Sequence, residues 1–130
     1  MLSQKKTLLV ASGLGFLAVA LGAFGAHALK PLLTASGRDT FELAVRYHFY
    51  HTFAMLGVAM LMNKFQISTL KISALLFLVG TILFSGSLYA YCLFENSSFA
   101  MITPVGGVFL LGGWVAMFLA ILKPRKHDSD

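Results

Sequence analysis

The 130-residue chain is 58% hydrophobic and only 12% charged, with a mean hydropathy of +0.80. A soluble domain of this length could not bury so much apolar surface, so a soluble fold is excluded. The net charge of +5 comes from Lys and Arg at the ends of apolar runs, which indicates membrane lipids and not nucleic acid as partners. The single cysteine, Cys92, excludes an internal disulfide and a cysteine-based metal site, and no cofactor is expected.

The first predicted helix is an uncharged run over residues 7–29, preceded by Lys5 and Lys6. A charged start, an apolar run and Ala26-His27-Ala28 also resemble a secretory signal with its cleavage site. The run is longer than the roughly 7 to 15 residues of a signal's apolar region. We therefore predict a membrane span, with cleavage as the alternative.

The second predicted helix covers residues 40–62 and contains the polar residues of most interest. Asp39 and Glu42 have the spacing of a capping box, which predicts a helix start near Asp39. At about 100° per residue, His48 and His51 share one face of the helix. Arg46 lies on the opposite face, four residues after Glu42, where an ion pair is the structural alternative to a functional role.

The third and fourth predicted helices cover residues 71–94 and 103–122, and both are almost free of charge. Ser68 and Thr69 are candidates for the third helix start. Thr103 is a candidate N-cap for the fourth, with Pro104 at the first helical position, where its missing N–H costs nothing. Trp114 lies too deep in its span to be an interface anchor and is expected to pack inside.

Small residues recur along one line of the first helix and at the start of the fourth. In lipid such residues let helix backbones approach closely, which drives helix association. The predicted packing residues are Ala11, Gly15, Ala18, Gly22, Gly25, Ala26, Gly106 and Gly107.

Orientation follows from the distribution of Lys and Arg among the span ends. Seven lie on the side of the chain termini (Lys5, Lys6, Lys64, Lys71, Lys123, Arg125 and Lys126), against Lys30 and Arg38 on the other side. The richer side is cytoplasmic. With short loops between the spans, we predict one all-α domain over residues 1–130, an integral membrane four-helix bundle of antiparallel up-down topology with both termini cytoplasmic.

Polar residues within the predicted spans gather in the outer half of the bilayer. Ionisable groups inside a membrane are costly, so such a group predicts a functional site. We expect one hydrogen-bonded cluster that contains His27, Arg46, Tyr47, His51, Ser85, Ser87 and Tyr89. Two His at positions i and i+3 could bind metal or haem, but no carboxylate shares their face, which favours hydrogen-bonded histidines and no metal site.

Four ordered motifs resemble one family. They are residues 22–27 (GAFGAH), 41–51 (FELAVRYHFYH), 83–89 (LFSGSLY) and 103–107 (TPVGG), followed by Gly113-Trp114. The chain resembles the small bacterial inner-membrane proteins of domain-of-unknown-function family 423, related to eukaryotic transmembrane protein 256. The resemblance implies a four-span inner-membrane protein without an assigned biochemical role. It also implies Gln where His48 stands, which leaves His51 as the stronger candidate.

Three functions fit these observations. The first is a non-enzymatic membrane protein whose outer polar cluster holds a small ligand, a lipid headgroup or a partner helix, with a homo-oligomer or another membrane protein as possible partner. The second is a small transporter or channel component, which would need a polar path through the apolar cytoplasmic halves of the spans. The third is a histidine-based redox or metal-binding protein. The sequence has no Ser-His-Asp, Cys-His or HExxH set, and no carboxylate near the middle of a span.

Overall fold

The computed structural model describes residues 1–123, and these residues form an all-helical fold. Its four long helices are α1 (Gln4–Phe24), α2 (Ala35–Leu61), α3 (Ile67–Phe94) and α4 (Thr103–Leu122). A π-helical turn, Gly25–Leu29, extends α1, and a 3₁₀ turn, Phe99–Met101, precedes α4. Arg125 and Lys126, used above for orientation, lie outside the described residues.

The start of α2 differs from the prediction. The helix begins at Ala35 and not near Asp39, because Thr34 is extended and its hydroxyl accepts the Gly37 N–H at 3.0 Å. That bond satisfies a backbone donor of the first turn, which is what an N-cap does. Asp39 and Glu42 therefore lie inside the helix, and the predicted capping box at Asp39 is wrong.

The starts of α3 and α4 are also shifted. The N-cap residue of α3 is Gln66, so Ser68 and Thr69 are already helical. The N-cap residue of α4 is Ile102, and Thr103 is the first residue of the helix, with Pro104 in its first turn. The hydroxyl of Thr103 instead contacts the hydroxyl of Ser87 at 2.6 Å, which ties α4 to α3.

Neighbouring helices in the sequence pack as neighbours in space, whereas α1 and α4 share few contacts. On α1, Ala11 and Ala18 are fully buried. A Cβ placed on Gly15 would lie 3.6 Å from Thr52 of α2, and one on Gly22 would lie 3.4 Å from Val45. These short side chains let α1 lie directly against α2, as small residues do in lipid.

The closest backbone contacts join α3 and α4. A Cβ on Gly106 would meet the backbone of Phe84, and one on Gly80 would lie 2.9 Å from the Leu110 nitrogen. A Cβ on Gly107, by contrast, would make only ordinary contact with the Phe84 ring, at 3.9 Å. Gly106 therefore sets the spacing of the two helices, and Gly107 leaves room beside them.

The core is mostly apolar and lies chiefly toward the end of the fold where α2 stops and α3 begins. Met55, Val58, Met62, Leu70 and Phe77 are fully buried there. At the other end a smaller group of Leu29, Phe41 and Cys92 packs under the turn between α1 and α2. Many other large apolar side chains point outward, which suits a protein surrounded by lipid.

Three segments of residues 1–123 are long and apolar enough to cross a membrane. They are Gln4–Leu29, Ile67–Phe94 and Phe99–Leu122. Helix α2 is long enough but carries Arg38, Asp39, Glu42 and Arg46 in its first half. The structure therefore confirms an all-α protein with three candidate spans, and α2 is the helix whose polar residues need an explanation.

Candidate functional site

Helix α2 has two chemically different faces. Ala44, His48 and His51 are buried on one of them, whereas Glu42 and Arg46 are exposed on the other. This division is the one predicted from 100° per residue. It means that the histidines and the arginine of α2 serve different surroundings.

His51 is held on both ring nitrogens. Its Nδ1 lies 2.8 Å from the Tyr47 carbonyl oxygen, and that oxygen can only accept, so Nδ1 carries the proton. Its Nε2 then has the lone pair, and the indole N–H of Trp114 donates to it at 3.2 Å. A histidine with both nitrogens engaged in this way has no lone pair left for a metal.

Trp114 lies at the surface of the fold rather than inside it. Its side chain is 45% exposed, although its N–H reaches inward to His51. Its ring meets Phe77 edge to face, with ring centroids 5.1 Å apart. The expectation that Trp114 packs inside is therefore wrong for the ring and right only for its polar edge.

The ring of His48 hydrogen-bonds to α3 and not to the residues around His51. Its Nδ1 lies 3.0 Å from the hydroxyl of Tyr89, and its ring is buried. The sequence argument discounted His48 because the resemblance implied Gln there. The signal that could have found it was its shared face with His51, since a buried imidazole requires a partner.

The serines of α3 bind backbone and neighbouring helices. Ser85 donates to the Ala44 carbonyl oxygen of α2 at 2.7 Å, and Ser87 contacts Thr103 of α4. Each bond satisfies a buried hydroxyl and joins two helices. The polar groups of α3 thus hold the helices in register.

The predicted cluster is divided into separate parts in the structure. Tyr47 and His51 lie together with Trp114, Tyr89 lies with His48, and Ser85 and Ser87 bond to α2 and α4. His27 is exposed on the π-helical turn, and Arg46 is exposed on the other face of α2. Among residues 1–123, neither of these two hydrogen bonds to the others.

Arg46 lines a pocket between the end of α1 and the start of α2. The pocket has a volume of about 390 Å³, and Lys30, Arg38 and Glu42 also line it. Lys30 and Arg38 entered the sequence argument only as orientation signals, because the predicted helix starts after Arg38. Arg38 and Arg46 are eight residues apart in α2, a spacing that places them on one helical face, and this was the signal that could have related them. The turn between the helices brings all three cations to one cavity, which we call the basic pocket.

Gly25 shapes this end of the molecule. A Cβ on Gly25 would lie 2.7 Å from Cδ1 of Phe41, so the glycine lets the Phe41 ring pack against the π-helical turn. The ring and Gly25 form part of the wall of the basic pocket. In the part of the chain that the structure describes, no group of three or more His, Cys, Asp or Glu could hold a metal ion.

Comparison with known proteins agrees with the resemblance. The family model described as "Protein of unknown function (DUF423)" matches residues 21–107. The UPF0382 inner membrane protein YgdD of Escherichia coli K12 is 36% identical over 125 residues, which cover 96% of this chain and 95% of YgdD. A UPF0382 membrane protein of Haemophilus influenzae is 37% identical over 86% of this chain and 90% of its own length.

A third relative, the UPF0382 membrane protein YwdK of Bacillus subtilis, is 37% identical over 82% of this chain and 88% of its own length. No solved structure matches the chain. The names of these relatives and the three apolar helices confirm the predicted location in the inner membrane. The chain belongs to the UPF0382 family of multi-pass membrane proteins, the family described as DUF423 and of unknown function.

Proposed function

We propose that this protein is a non-enzymatic membrane protein that binds the phosphate headgroup of an anionic lipid in the basic pocket. The observation that carries the proposal is the convergence of Lys30, Arg38 and Arg46 on one cavity of about 390 Å³. Among residues 1–123, Glu42 is the one carboxylate that lines the same cavity, so the described side chains leave an excess of positive charge. That excess favours an anion over a neutral or zwitterionic ligand.

The chemistry of the cations suits a phosphodiester. Arginine presents a planar fork of N–H donors that can bind two phosphate oxygens at once, and lysine adds a compact charge. Arg38 is half-buried, so part of its surface is already removed from water. Phe41 and Val45 also line the pocket and give it an apolar surface, against which the first carbons of an acyl chain could pack.

The proposal places this pocket at the outer face of the membrane. All four helices, α2 included, would cross in alternating directions as an up-down bundle with cytoplasmic termini. The contacts between α1 and α2 support this arrangement, since the later residue of α1 meets the earlier residue of α2. Gly15 lies against Thr52, and Gly22 lies against Val45. The excess of Lys and Arg at the other end of the spans supports the orientation.

Reporter fusions test that orientation. A fusion after Lys64 is expected to report a cytoplasmic location and one near Ser36 an external location, because seven Lys and Arg lie on the side of Lys64 and the chain termini against two on the side of Ser36. Paired alkaline phosphatase and green fluorescent protein reporters at both sites are the measurement. A periplasmic signal at Lys64 would contradict the orientation and move the basic pocket to the inner leaflet.

Lipid binding tests the function itself. In delipidated full-length protein, Arg38→Gln with Arg46→Gln is expected to weaken phosphatidylglycerol binding at least about tenfold, because charge-assisted hydrogen bonds contribute roughly 1.5–3 kcal/mol each. Native mass spectrometry over a lipid titration gives the dissociation constant. The double variant Lys5→Gln with Lys64→Gln removes two exposed cations elsewhere and is expected to bind like the wild type.

Two results would contradict the proposal. One is equal weakening by the two double variants, which would mean that only net charge matters. The other is equal affinity of the wild type for phosphatidylglycerol and phosphatidylcholine. A salt-dependent preference for phosphatidylglycerol that disappears in the arginine variant would support it.

The interior argues for binding rather than transport. A transport path needs polar groups from one side of the membrane to the other. At the end of the fold opposite the basic pocket, Met55, Val58, Met62 and Phe77 are fully buried against one another. Association with a second copy or with another membrane protein stays a prediction.

A further inference from the structure

A second cavity lies on the other side of α2 from the basic pocket. It has a volume of about 640 Å³ and is lined by residues of α2, α3 and α4. That volume is within the range of roughly 300–1,000 Å³ for small-molecule sites. Because Tyr47, Tyr50, Phe84 and Trp114 all line it, we call it the aromatic pocket.

The walls of the aromatic pocket are flat. The Tyr47 ring stacks on Phe84 with centroids 4.5 Å apart and an angle of 22° between the ring planes. Trp114 lines the pocket from α4, with its N–H already donated to His51. Aromatic rings offset-stack or meet edge to face with other rings, so these surfaces favour a planar ligand.

Two tyrosines give the pocket phenolic hydroxyls, which can both donate and accept hydrogen bonds. The hydroxyls of Tyr47 and Tyr50 have no hydrogen-bond partner among residues 1–123, and each can donate one hydrogen bond. The His51 lone pair is taken by Trp114. None of the described residues lining this pocket is Asp, Glu, Lys or Arg. The lining therefore favours an uncharged ligand, and acceptor oxygens on such a ligand would accept the two phenolic protons.

The pocket also opens toward lipid. Val108 and Leu111 line it and are 67% and 68% exposed, so an apolar chain could leave between them into the bilayer. The flat aromatic rings, the two phenolic hydroxyls and this apolar opening all belong to one cavity. We propose that the aromatic pocket binds a flat, uncharged, lipid-soluble ring with carbonyl oxygens, the chemistry of a membrane quinone.

The chain contains its own reporter for this proposal. Trp114 is the single tryptophan and lines the pocket, so a quinone bound there would quench nearly all tryptophan fluorescence. The probe is a decyl-substituted benzoquinone, titrated into the full chain in detergent micelles. Saturable quenching is expected from the quinone, and none from 1-decanol, which has the chain without the ring.

Matched variants distinguish binding in the pocket from partition of the quinone into the micelle. Gly107→Leu puts a side chain beside Phe84 in the pocket, whereas Gly86→Leu adds the same side chain at a position where the Cβ meets nothing within 4 Å. Saturable quenching is expected to be lost in Gly107→Leu and kept in Gly86→Leu. Tyr47→Phe with Tyr50→Phe keeps both rings and is expected to weaken binding about tenfold, the sum of two modest hydrogen bonds.

Three results would overturn the proposal. The first is quenching that rises linearly and equally in all variants, which would mean that the quinone only partitions into the micelle. The second is a saturable response to 1-decanol equal to that of the quinone, which would make the cavity an acyl-chain groove. The third is unchanged quinone affinity in the double tyrosine variant. Circular dichroism of each variant checks that the helices have formed.

Discussion

Replacing Gly106 with alanine is expected to separate α3 from α4 and to destabilise the protein by about 3 kcal/mol or more, at the upper end of overpacking effects. The added Cβ would lie 2.8 Å from the Leu83 carbonyl carbon and the Phe84 Cα. These are backbone atoms of a helix, which cannot rotate away as a side chain can. One helix must therefore move, and the hydrogen bond between Ser87 and Thr103 would be stretched with it.

The measurement is thermal unfolding in detergent, followed by far-UV circular dichroism. Gly86→Ala is the matched control, since a Cβ there would meet nothing within 4 Å and alanine is the better helix former. The control is expected to be as stable as the wild type or slightly more so. Equal midpoints for Gly106→Ala and Gly86→Ala would show that the α3–α4 contact is looser than described.

The second large effect is expected at Phe77. Phe77→Ala is expected to cost about 3 kcal/mol or more, as deletions of buried aromatic rings do. The ring is fully buried and lies between the three helices α2, α3 and α4, with its centroid 5.6 Å from His51 and 5.1 Å from Trp114. Its loss leaves a cavity that the helices cannot close without shifting.

Two readouts follow this change. The free energy of unfolding can be measured by titration with sodium dodecyl sulfate in mixed micelles. Trp114 fluorescence should also shift in Phe77→Ala, because its ring loses an edge-to-face neighbour. Phe16→Ala removes a ring that is 74% exposed and is expected to leave both readouts near wild type. A stable Phe77→Ala variant with unshifted fluorescence would contradict the described core.

Part of the fold follows directly from the order of residues along the chain. Long uncharged runs identify α1, α3 and α4 as candidate spans, because each of these runs is long enough to cross a bilayer. The two faces of α2 follow from the helical period alone. The helix starts do not, since a capping residue such as Thr34 acts through the backbone conformation that its loop adopts.

The candidate site was less predictable. Depth in the membrane placed His27, Arg46 and His51 at the same end, yet depth says nothing about direction around a helix axis. The π-helical turn leaves His27 exposed, and the rotation of α2 puts Arg46 on the wall of the pocket that Lys30 and Arg38 also line. A shared depth is therefore a weaker signal than a shared face.

By itself the sequence determined the chemical setting of this protein: a membrane, four helices, and ionisable groups that need partners because lipid offers none. Only the tertiary structure decided which partners they have. The indole of Trp114 bonds to His51 and the phenol of Tyr89 to His48 because the packing of α2 against α3 and α4 brings together residues 63 and 41 positions apart. No local spacing encodes such pairs, since they depend on the crossing of whole helices, which small residues such as Gly106 allow.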